Sequence, residues 1–573
     1  MRIFFYIGLP LVLVLAILTY PGAIAVSMIV QLTPAPAAPS PAPAGPLPWL
    51  HVAHPSGGMP FIADDQGRMV LLHGAIPAGL IDFWTGTNQS QPDVPPFYPV
   101  GPAAYANGSC PDNSHSSRYP PLCQSDIDAM AHLGFNSVRL PLSWSLLEPE
   151  RGRFSAAYLD RVAQVVDWAR NDGMYVILDM HQNAYSRYVG AGPPTVDLSY
   201  LSGAPKWATI TDGFPSHVFN GQRELNPAVF EADSNFWYDR GGIQDEYIAT
   251  IAFLARRFKD DSTVAGYSVF NEPWPGWNLP PGFEDLLLFP FYRRVIDAIT
   301  GVRDGLPCWT GFFMPAPCGY PDLGVHDLHH LVFLDTGLLR EVSDFPTHLG
   351  LPVSSYPNLV LSMHAYTHVY TFDALAKQPA DKASYPWGGF EQSYSLGGRE
   401  ARAINAALFV AEFGNDRSWD SFDLANQLRE QERHDVGFAF WTWKENGGAS
   451  SWGMFDPPPT GSASASSGCL RPDRERMLAE VYPVASADPA VVYDYDSGSG
   501  AFALSAKGRP GDGATLVTIP PEVTGAVSSS GAVLASVSAL PDGGRLVSAL
   551  PRGGDFSISV APAQIALRGC GLK

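Results

Sequence analysis

Positive charge is scarce in this sequence. Its 573 residues include 36 lysines and arginines against 56 aspartates and glutamates, which gives a net charge of -20. A surface of this sign repels a phosphate backbone, so the composition argues against nucleic acid as a partner. Charged residues of either sign make up only 16% of the chain, whereas aromatic residues reach 12%. That balance is typical of an exported protein with exposed stacking surfaces.

Cysteine is also sparse, with six residues, and none has CxxC or His/Cys metal spacing. The sequence therefore indicates no metal and no organic cofactor. In an exported chain cysteines favour disulfide bonds. Cys110 and Cys123 are close enough in sequence to staple a loop, as are Cys308 and Cys318, while Cys469 and Cys570 could tie the C-terminal region to its neighbour. Six cysteines allow 15 pairings, so these pairs are a preference.

The N-terminal segment has no charged residue between Arg2 and Asp64. Residues 1–30 indicate a signal peptide, with an apolar region over 3–18 and a cleavage site near Ala25. An uncleaved signal anchor is the alternative, because residues 26–32 prolong the apolar run to a length that could span a bilayer. Residues 31–55 form a Pro/Ala-rich linker. Both interpretations predict a secreted or extracytoplasmic protein, and the second predicts that it is membrane-anchored.

From about residue 65 onward, short apolar runs alternate with amphipathic helical patterns. This alternation predicts βα units and a parallel sheet. Eight such runs are the number required for an α/β fold of the (β/α)8 TIM barrel type, over residues 56–483. The predicted strands are 69–72, 137–140, 175–180, 264–270, 331–334, 359–363, 408–411 and 437–443.

The composition of the sequence changes after the predicted barrel. Residues 457–468, PPPTGSASASSG, are of low complexity and predict a long loop after the eighth strand. Residues 486–573 contain short β-prone runs separated by Gly, Asp and Pro, which predicts a C-terminal β-sandwich domain.

Polar residues stand at the carboxyl ends of the predicted strands, where the loops of an α/β barrel meet at one mouth. Each has a structural interpretation when taken alone: Asn-Glu-Pro can be an ordinary strand exit, a histidine a hydrogen-bonded core residue, an arginine an ion-pair partner and a tryptophan core filling. Their convergence on one face favours a site. The residues are Arg139, His181, Asn271, Glu272, His364, Tyr366, Glu412, Trp441 and Trp443.

The central pair is Glu272 and Glu412, each placed just past an apolar strand. Glycoside hydrolysis needs two carboxyl groups, one to protonate the leaving oxygen and one to attack the anomeric carbon or to activate water. The separation of the carboxyl groups distinguishes retention from inversion, and the sequence does not give that distance.

Six motifs resemble glycoside hydrolase family 5, within the clan of retaining (β/α)8 hydrolases, over roughly residues 60–483. The MHQ motif and PPFYP at residues 95–99 are most similar to the endoglycoceramidase branch, whose architecture also includes the appended β-sandwich. The motifs are FNSVRLPLSW at 135–144, LDMHQNAYSR at 178–187, VFNEPW at 269–274, SMHAYT at 362–367, VAEFG at 410–414 and FWTWKEN at 440–446.

The resemblance implies a role for each matching residue. Glu272 is implied as acid/base and Glu412 as nucleophile, with Arg139 keeping the nucleophile ionised. A neighbouring guanidinium lowers the pKa of a carboxylate, which agrees with this assignment. Sugar contacts are implied for Asn271 at the 2-hydroxyl and for His181 in the first subsite.

Further implied residues orient the nucleophile or line the sugar site. His364 and Tyr366 are implied to orient the nucleophile, and either Trp441 or Trp443 is implied as the floor of the first subsite.

The sequence departs from the branch at three positions in the loops that contact the glycan. His73 replaces an arginine, Asn183 replaces an acidic sugar-binding residue, and Asp335 stands where glutamate is common. Asn183 remains a candidate substrate-binding residue.

We therefore expect a retaining endo-β-glycosidase that hydrolyses the bond between the glycan and the lipid aglycone of glycosphingolipids. The alternatives are a family 5 β-glucanase, β-mannanase or β-glucosidase on non-lipid substrates, and a non-catalytic glycan- or lipid-binding envelope protein. Contact with a membrane surface is a further expectation. A lipid needs an apolar face, for which Trp274, Trp277, Phe289 and Phe291 are candidates, although ordinary helix packing explains them equally well.

Overall fold

The structure, a computed structural model, describes residues 47–82, 100–111, 119–189, 201–219, 222–278, 282–303, 319–346, 353–370, 389–445, 452–456, 469–540 and 542–569. The predicted signal segment, most of the linker, the PPFYP motif and the low-complexity stretch 457–468 lie outside these residues. Within them, no helix combines the length and the hydropathy needed to cross a membrane.

The strands and helices follow the predicted alternation as far as residue 478. The strands are β1 His51–Ala53, β2 Phe61–Ala63, β3 Met69–Val70, β4 His73–Ala75, β5 Ser137–Leu142, β6 Tyr175–Met180, β7 Val264–Ser268, β8 Leu331–Asp335, β9 Leu359–His364, β10 Ala407–Phe413, β11 Phe438–Phe440, β12 Tyr482–Ser486, β13 Val492–Asp496, β14 Ala501–Gly508, β15 Thr515–Ile519, β16 Val527–Ser530, β17 Ala532–Ala539, β18 Arg545–Pro551 and β19 Gly554–Val560. The helices are α1 Gln124–His132, α2 Trp144–Leu147, α3 Ala156–Asn171, α4 Pro227–Trp237, α5 Ile243–Phe258, α6 Phe289–Thr300, α7 Leu338–Ser343, α8 Thr367–Tyr370, α9 Phe390–Ala403, α10 Asp423–Arg433 and α11 Pro472–Leu478. A π-helical turn, Glu284–Leu288, precedes α6.

Eight parallel strands, β4 to β11, close into a barrel, which confirms the predicted (β/α)8 fold. Alternate side chains of these strands fill the interior, as Ile177, Phe333 and Phe409 do, while the other face packs against the surrounding helices. This packing leaves the carboxyl ends of the strands as the open face of the barrel.

The prediction of the first barrel strand was wrong by one element. Met69–Val70 pairs antiparallel with β2 and β12 outside the barrel, and the barrel begins at His73. Hydrophobicity predicts a buried strand at residues 69–72 whether that strand belongs to the barrel or to another sheet, so it does not distinguish the two locations. The barrel strand itself contains Gly74, where a Cβ atom would lie 2.3 Å from the carbonyl oxygen of Ser137, so the close approach to β5 requires glycine.

The C-terminal strands form two antiparallel sheets, as predicted for a β-sandwich. One sheet has the order β13-β14-β19-β16, and the other has the order β1-β2-β3-β12-β15-β18-β17. The second sheet therefore contains chain from both sides of the barrel. The sequence predicted domain boundaries at residues 55–56 and 483–486. The structure instead places the strands within residues 51–70 in the sandwich sheet, because their hydrogen bonds, which local sequence does not reveal, join them to it.

A polar contact joins the barrel to the sandwich, and a disulfide staples a loop within the barrel. Cys110 and Cys123 form a disulfide, as predicted. Cys469 is also disulfide-bonded, whereas Cys308, Cys318 and Cys570 lie outside the described residues. His132 Nε2 lies 3.1 Å from Glu522 Oε1, which links α1 to the sandwich.

Candidate active site

A buried arginine organises the open end of the barrel. Arg139, on β5, donates from Nη1 to Glu412 Oε2 at 2.8 Å. Its Nη2 donates to Asn271 Oδ1 at 2.8 Å and to Asp179 Oδ1 at 3.0 Å, and lies 3.4 Å from Asp335 Oδ2. One guanidinium thus fixes residues from the ends of four other strands. Burial by itself would lower the pKa of Arg139, but the charges of Asp179, Asp335 and Glu412 raise it above its ordinary value.

Two donors hold the two oxygens of Glu412. Arg139 donates to Oε2, and the Tyr366 hydroxyl donates to Oε1 at 2.8 Å. Hydrogen bonds of this kind stabilise the charged form of a carboxylate and fix its direction. The predicted roles of Arg139 and Tyr366 at the end of the seventh barrel strand agree with this geometry.

Glu272 lies on a tight turn beyond β7, opposite Glu412. Its backbone has φ 46°, a left-handed conformation that is costly for a residue with a Cβ atom and that is common at functional sites. The Gln182 side chain stabilises the turn, because its Nε2 donates to the carbonyl oxygens of Asn271 at 2.7 Å and Glu272 at 2.9 Å. Asn271 Nδ2 returns a hydrogen bond to the Gln182 carbonyl oxygen at 3.0 Å.

His364 lies between the two carboxylates but closer to Glu272 than the sequence predicted. Its Nδ1 is 3.1 Å from Glu272 Oε1 and 4.0 Å from Glu412 Oε2. On the other side of the ring, Nε2 is 3.3 Å from Asp335 Oδ2. His364 therefore lies closest to Glu272, whereas Tyr366 and Arg139 hold Glu412.

The protonation states of these groups depend on one another. Burial would lower the pKa of His364, but the charges of Glu341 and Glu412 and hydrogen bonds to Asp335 and Glu272 raise it well above its ordinary value. Burial would raise the pKa of Glu272, but the hydrogen bond and charge of His364 lower it. His364 Nδ1 and Glu272 Oε1 are 3.1 Å apart, so one hydrogen bond connects the two titratable groups.

The pKa of Glu412 shifts in the direction opposite to the one expected from Arg139 alone. Burial raises it, as does the charge of Glu272, while His364 and Arg139 act against these effects. Two close carboxylates resist ionising together, so their titrations belong to the pair. Protonation of Glu272 removes its repulsion and leaves Glu412, with its two donors, as the carboxylate.

His181 and Trp441 form one wall of the site. His181 Nδ1 is 2.9 Å from Asp179 Oδ2, and its ring is parallel to that of Trp441 with centroids 5.5 Å apart. Trp441 packs edge-on against Tyr119. Their positions beside the strand ends agree with the predicted sugar-contacting roles.

Trp443 does not share this position. It is only 1% exposed, and its Nε1 donates to Asp126 Oδ1 at 3.0 Å, so it belongs to the core between the barrel and α1. The sequence left the choice between Trp441 and Trp443 open, and the structure separates them because β11 and its strand alternation end at Phe440.

Asn183 and an unpredicted cation lie beside the acid/base turn. Asn183 pairs with Ser202 in an isolated bridge and accepts a hydrogen bond at 3.3 Å from Arg223 Nη2. The charge of Arg223 also acts on Glu272. Arg223 lies in the long connection between β6 and α4, so the pattern of polar residues at strand ends could not have indicated it.

Aromatic residues line the surface beyond Glu272. Trp277 is 48% exposed and Phe214 is 42% exposed, with ring centroids 5.7 Å apart, and Phe230 packs edge-on against Trp277 at 4.9 Å. We call Phe214, Phe230 and Trp277 the aromatic rim. The other candidates for an apolar face are buried: Trp274 is 6% exposed, and Phe289 and Phe291 are 5% and 1% exposed within the core.

Sequence reasoning missed several residues of the site. Asp179 and Gln182 belong to the LDMHQ motif, and a charge inside a buried strand was the available signal for Asp179. Trp452 packs near Tyr366, with centroids 5.9 Å apart, but no local pattern distinguishes it. Glu341 follows the fifth barrel strand on α7 and is fully buried. Glu341, Glu272 and His364 together offer ligand atoms within 4.8 Å of one another, the only such group found among the described residues.

The closed barrel and the two glutamates at its mouth define the class of the protein, which is a glycoside hydrolase. Residues 106–302 match the model of the Cellulase family, glycosyl hydrolase family 5. The family resemblance expected from the motifs is confirmed.

Similar proteins include an endoglycoceramidase, an endogalactoceramidase and a probable glucan glucosidase. Endoglycoceramidase I of Rhodococcus hoagii is 30% identical over 223 residues, which cover 38% of this chain and only 36% of that relative's length. A solved endogalactoceramidase is 26% identical, with a TM-score of 0.66, over 90% of this chain and all of that one. A probable glucan 1,3-beta-glucosidase A of Aspergillus niger is 24% identical over 360 residues, or 60% of this chain and 74% of that protein.

Proposed function

We propose that the protein is a retaining endo-β-glycosidase that hydrolyses the bond between the glycan and the lipid aglycone of glycosphingolipids. The observation that carries the proposal is the pair Glu272 and Glu412, held at the barrel mouth with different partners. His364 Nδ1 contacts both carboxyl groups, so their nearest oxygens are no more than about 7 Å apart.

The chemistry follows from the positions of the two groups. Glu412 attacks the anomeric carbon while Glu272 protonates the oxygen of the departing aglycone, which gives a glycosyl-enzyme. Glu272, now a carboxylate, takes a proton from water, and the water oxygen displaces Glu412. His364 Nδ1 lies 3.1 Å from Glu272 Oε1, beside the carboxyl group that gives up and regains a proton in these two steps.

The aromatic rim supports a lipid aglycone. Trp277 follows the acid/base by five residues and exposes nearly half of its surface beside Phe214. Exposed aromatic clusters next to a polar cleft are typical of surfaces that bind apolar groups. The similarity to an endoglycoceramidase and to an endogalactoceramidase points to the same class of substrate.

The second candidate is a family 5 β-glucosidase or β-glucanase on non-lipid substrates. It is favoured by the similarity to the Aspergillus protein, of which the alignment covers 74%. Arg223 beside Asn183 adds polar groups near Glu272, which suit a sugar in either candidate. Both candidates would use the same pair, Glu272 and Glu412.

A substrate panel distinguishes the candidates. The purified protein is incubated with neutral and acidic glycosphingolipids in detergent, with β-glucans and β-mannans, and with aryl β-glycosides. Release of intact oligosaccharide together with ceramide supports the proposal, and NMR of the first-formed anomer tests retention. Hydrolysis of glucans with no release from glycolipids supports the second candidate. Inactivity on every substrate would leave a glycan- or lipid-binding protein.

We also propose that the protein acts outside the cytoplasm. The apolar, uncharged segment from residue 3 to residue 63 supports this, as do the disulfide bonds. To test this, cells that express the protein with or without residues 1–30 are fractionated, and the N-terminus of the recovered protein is sequenced. Cytoplasmic recovery of the full chain contradicts the proposal.

A further inference from the structure

Glu341 is a buried carboxyl group that the glycosidase chemistry does not use. Its Oε1 accepts a hydrogen bond from the Thr336 hydroxyl at 3.1 Å, but Oε2 has no hydrogen-bond partner although the side chain is fully buried. That unpartnered oxygen lies 3.6 Å from His364 Nδ1. Buried polar atoms are rarely left without a partner, so an orphan that faces a histidine and a second carboxylate requires an explanation.

The three groups have the spacing of metal ligands. His364 Nδ1 is 3.1 Å from Glu272 Oε1 and 3.6 Å from Glu341 Oε2, and all three ligand atoms lie within 4.8 Å. Tetrahedral zinc with bonds of about 2.0–2.2 Å places its ligand atoms about 3.4 Å apart. Small side-chain shifts are enough to convert the observed spacing into that geometry.

The surroundings also match those of a metal-bound histidine. The opposite ring nitrogen of His364, Nε2, is 3.3 Å from Asp335 Oδ2. A carboxylate behind the ring in this way fixes its orientation and leaves the other nitrogen to bind the metal. Carboxyl groups outnumber basic groups around the site: the five carboxyl groups of Asp179, Asp335, Glu272, Glu341 and Glu412 lie near Arg139, Arg223, His181 and His364. A dication reduces that imbalance.

We propose that Glu272, Glu341 and His364 form a binding site for a divalent transition metal, with Zn²⁺ as the first ligand to test, and that the bound metal inhibits the enzyme. One imidazole nitrogen and two carboxylate oxygens suit zinc better than magnesium or calcium, which prefer oxygen ligands alone. Three protein ligands leave the fourth position for water. The ion enters from the side of Glu272, because this ligand has the most exposed side chain of the three, at 13%.

Inhibition follows because the metal occupies the oxygen with which Glu272 exchanges its proton. This consequence rests on the proposed glycosidase activity, whereas the binding of the metal does not.

The binding test uses the full, chelator-treated protein and titrates Zn²⁺ by calorimetry. We expect one site in the wild type and affinity at least tenfold weaker in Glu341→Gln and in Glu272→Gln. The matched control is His326→Ala, which removes an exposed histidine 3.3 Å from Asp322 and should leave the affinity unchanged. Co²⁺ titration followed by visible absorption reports whether the site is tetrahedral. Equal affinity in the wild type and both glutamate variants overturns the proposal, and so does equal binding of Mg²⁺.

The activity test measures hydrolysis of an aryl β-glycoside against Zn²⁺ concentration, each variant being normalised to its own metal-free rate. We expect Glu341→Gln to require at least tenfold more Zn²⁺ for half inhibition, and His326→Ala to match the wild type. If Glu341→Gln does not fold, calorimetry on Glu272→Gln decides. A protein that binds Zn²⁺ through Glu341 but hydrolyses nothing refutes the proposed function and leaves the metal site standing. Hydrolysis that Zn²⁺ does not inhibit refutes the inhibitory role.

Discussion

The two glutamates of the site differ in the residues that hold them. Arg139 and Tyr366 each donate to one oxygen of Glu412, which fixes it as a carboxylate aimed into the cleft. Glu272 instead contacts the imidazole of His364, and its backbone adopts a left-handed conformation. This difference is what the proposed roles of nucleophile and acid/base require, because a nucleophile must stay ionised while an acid/base must exchange a proton.

Substitution of either glutamate separates the two roles. We expect Glu412→Gln to lower kcat on every aryl β-glycoside by more than about a thousandfold, the scale seen when a nucleophile is removed. Glu272→Gln should lower kcat by about 10²–10⁴ on poor leaving groups and much less on dinitrophenyl glycosides, whose departure needs no proton.

The control for these substitutions is Glu391→Gln, which changes an exposed glutamate on α9. Its rates should equal those of the wild type. Equal sensitivity of Glu272→Gln to good and poor leaving groups would contradict the acid/base assignment.

Gln182 gives a second prediction at this scale. Its amide stabilises the turn that carries Glu272 through two hydrogen bonds to backbone carbonyls. Gln182→Ala removes both, and at about 0.5–1.5 kcal/mol each we expect kcat/KM to fall roughly 5- to 150-fold. The loss should be the same across the pH range, because geometry changes and titrating groups do not. A change in the shape of the pH profile would show that Gln182 acts on protonation instead.

At the scale of elements, the connection between β6 and α4 and the turn after Glu272 together build the aromatic rim. Trp277 is held there by two hydrogen bonds, one from its backbone N–H to the Ser234 hydroxyl at 2.9 Å and one from Nε1 to Glu231 Oε2 at 2.9 Å. The exposed indole is therefore held in place rather than free to fold back onto the core.

Removing this indole tests the lipid-binding role of the rim. We expect Trp277→Ala to lower kcat/KM on a micellar glycosphingolipid by about tenfold, equivalent to roughly 1.4 kcal/mol of lost apolar contact, and to leave aryl β-glycoside hydrolysis unchanged. Val492→Ala, at a 69% exposed position in the sandwich, is the control. Equal losses on both substrates would indicate a structural role for Trp277.

Seven of the eight barrel strands could be predicted from their apolar runs because each is buried on both faces. The first could not, since β4 has only three residues and includes Gly74, whereas the neighbouring run 69–72 is more apolar. Tertiary contacts also separated Trp441 from Trp443, because β11 ends before both of them. Local pattern thus identified buried strands, and pairing decided which sheet each one joined.

At the scale of the whole molecule, the barrel base and the sandwich enclose a cavity of about 780 Å³. Its lining includes Asp128 and Asp172 from the barrel and Asp542 from the sandwich. Partial desolvation raises the pKa of Asp172 to about 6 although the residue is exposed, and the charge and hydrogen bond of Asp128 and the charge of Asp542 act in the same direction. The junction therefore carries an acidic cluster that resists ionisation.

This cluster makes the stability of the protein depend on pH. Asp172 loses its proton near pH 3.8 when unfolded and near pH 6 when folded, so its ionisation favours unfolding as pH rises between these values. We expect Asp172→Asn to raise the melting temperature at pH 8, where the cost is fully present, and to have no effect below about pH 3.8, where both states are protonated. Asp488→Asn, a substitution in the sandwich outside this cavity, is the control. A stabilisation that is independent of pH would contradict this account.

The sequence by itself determined the class of fold and placed Glu272, Glu412 and most of their neighbours at the barrel mouth, because barrel strands are apolar runs and these residues follow them directly. Only the tertiary structure decided that His364 serves Glu272, that Gln182 and Arg223 reach the acid/base turn, and that Glu341 lies behind it. These contacts join residues about 20 to 90 positions apart, and their partners depend on how loops fold over the barrel mouth. Spacing along the chain does not encode such distances, since they arise when strands from different parts of the chain close into one barrel.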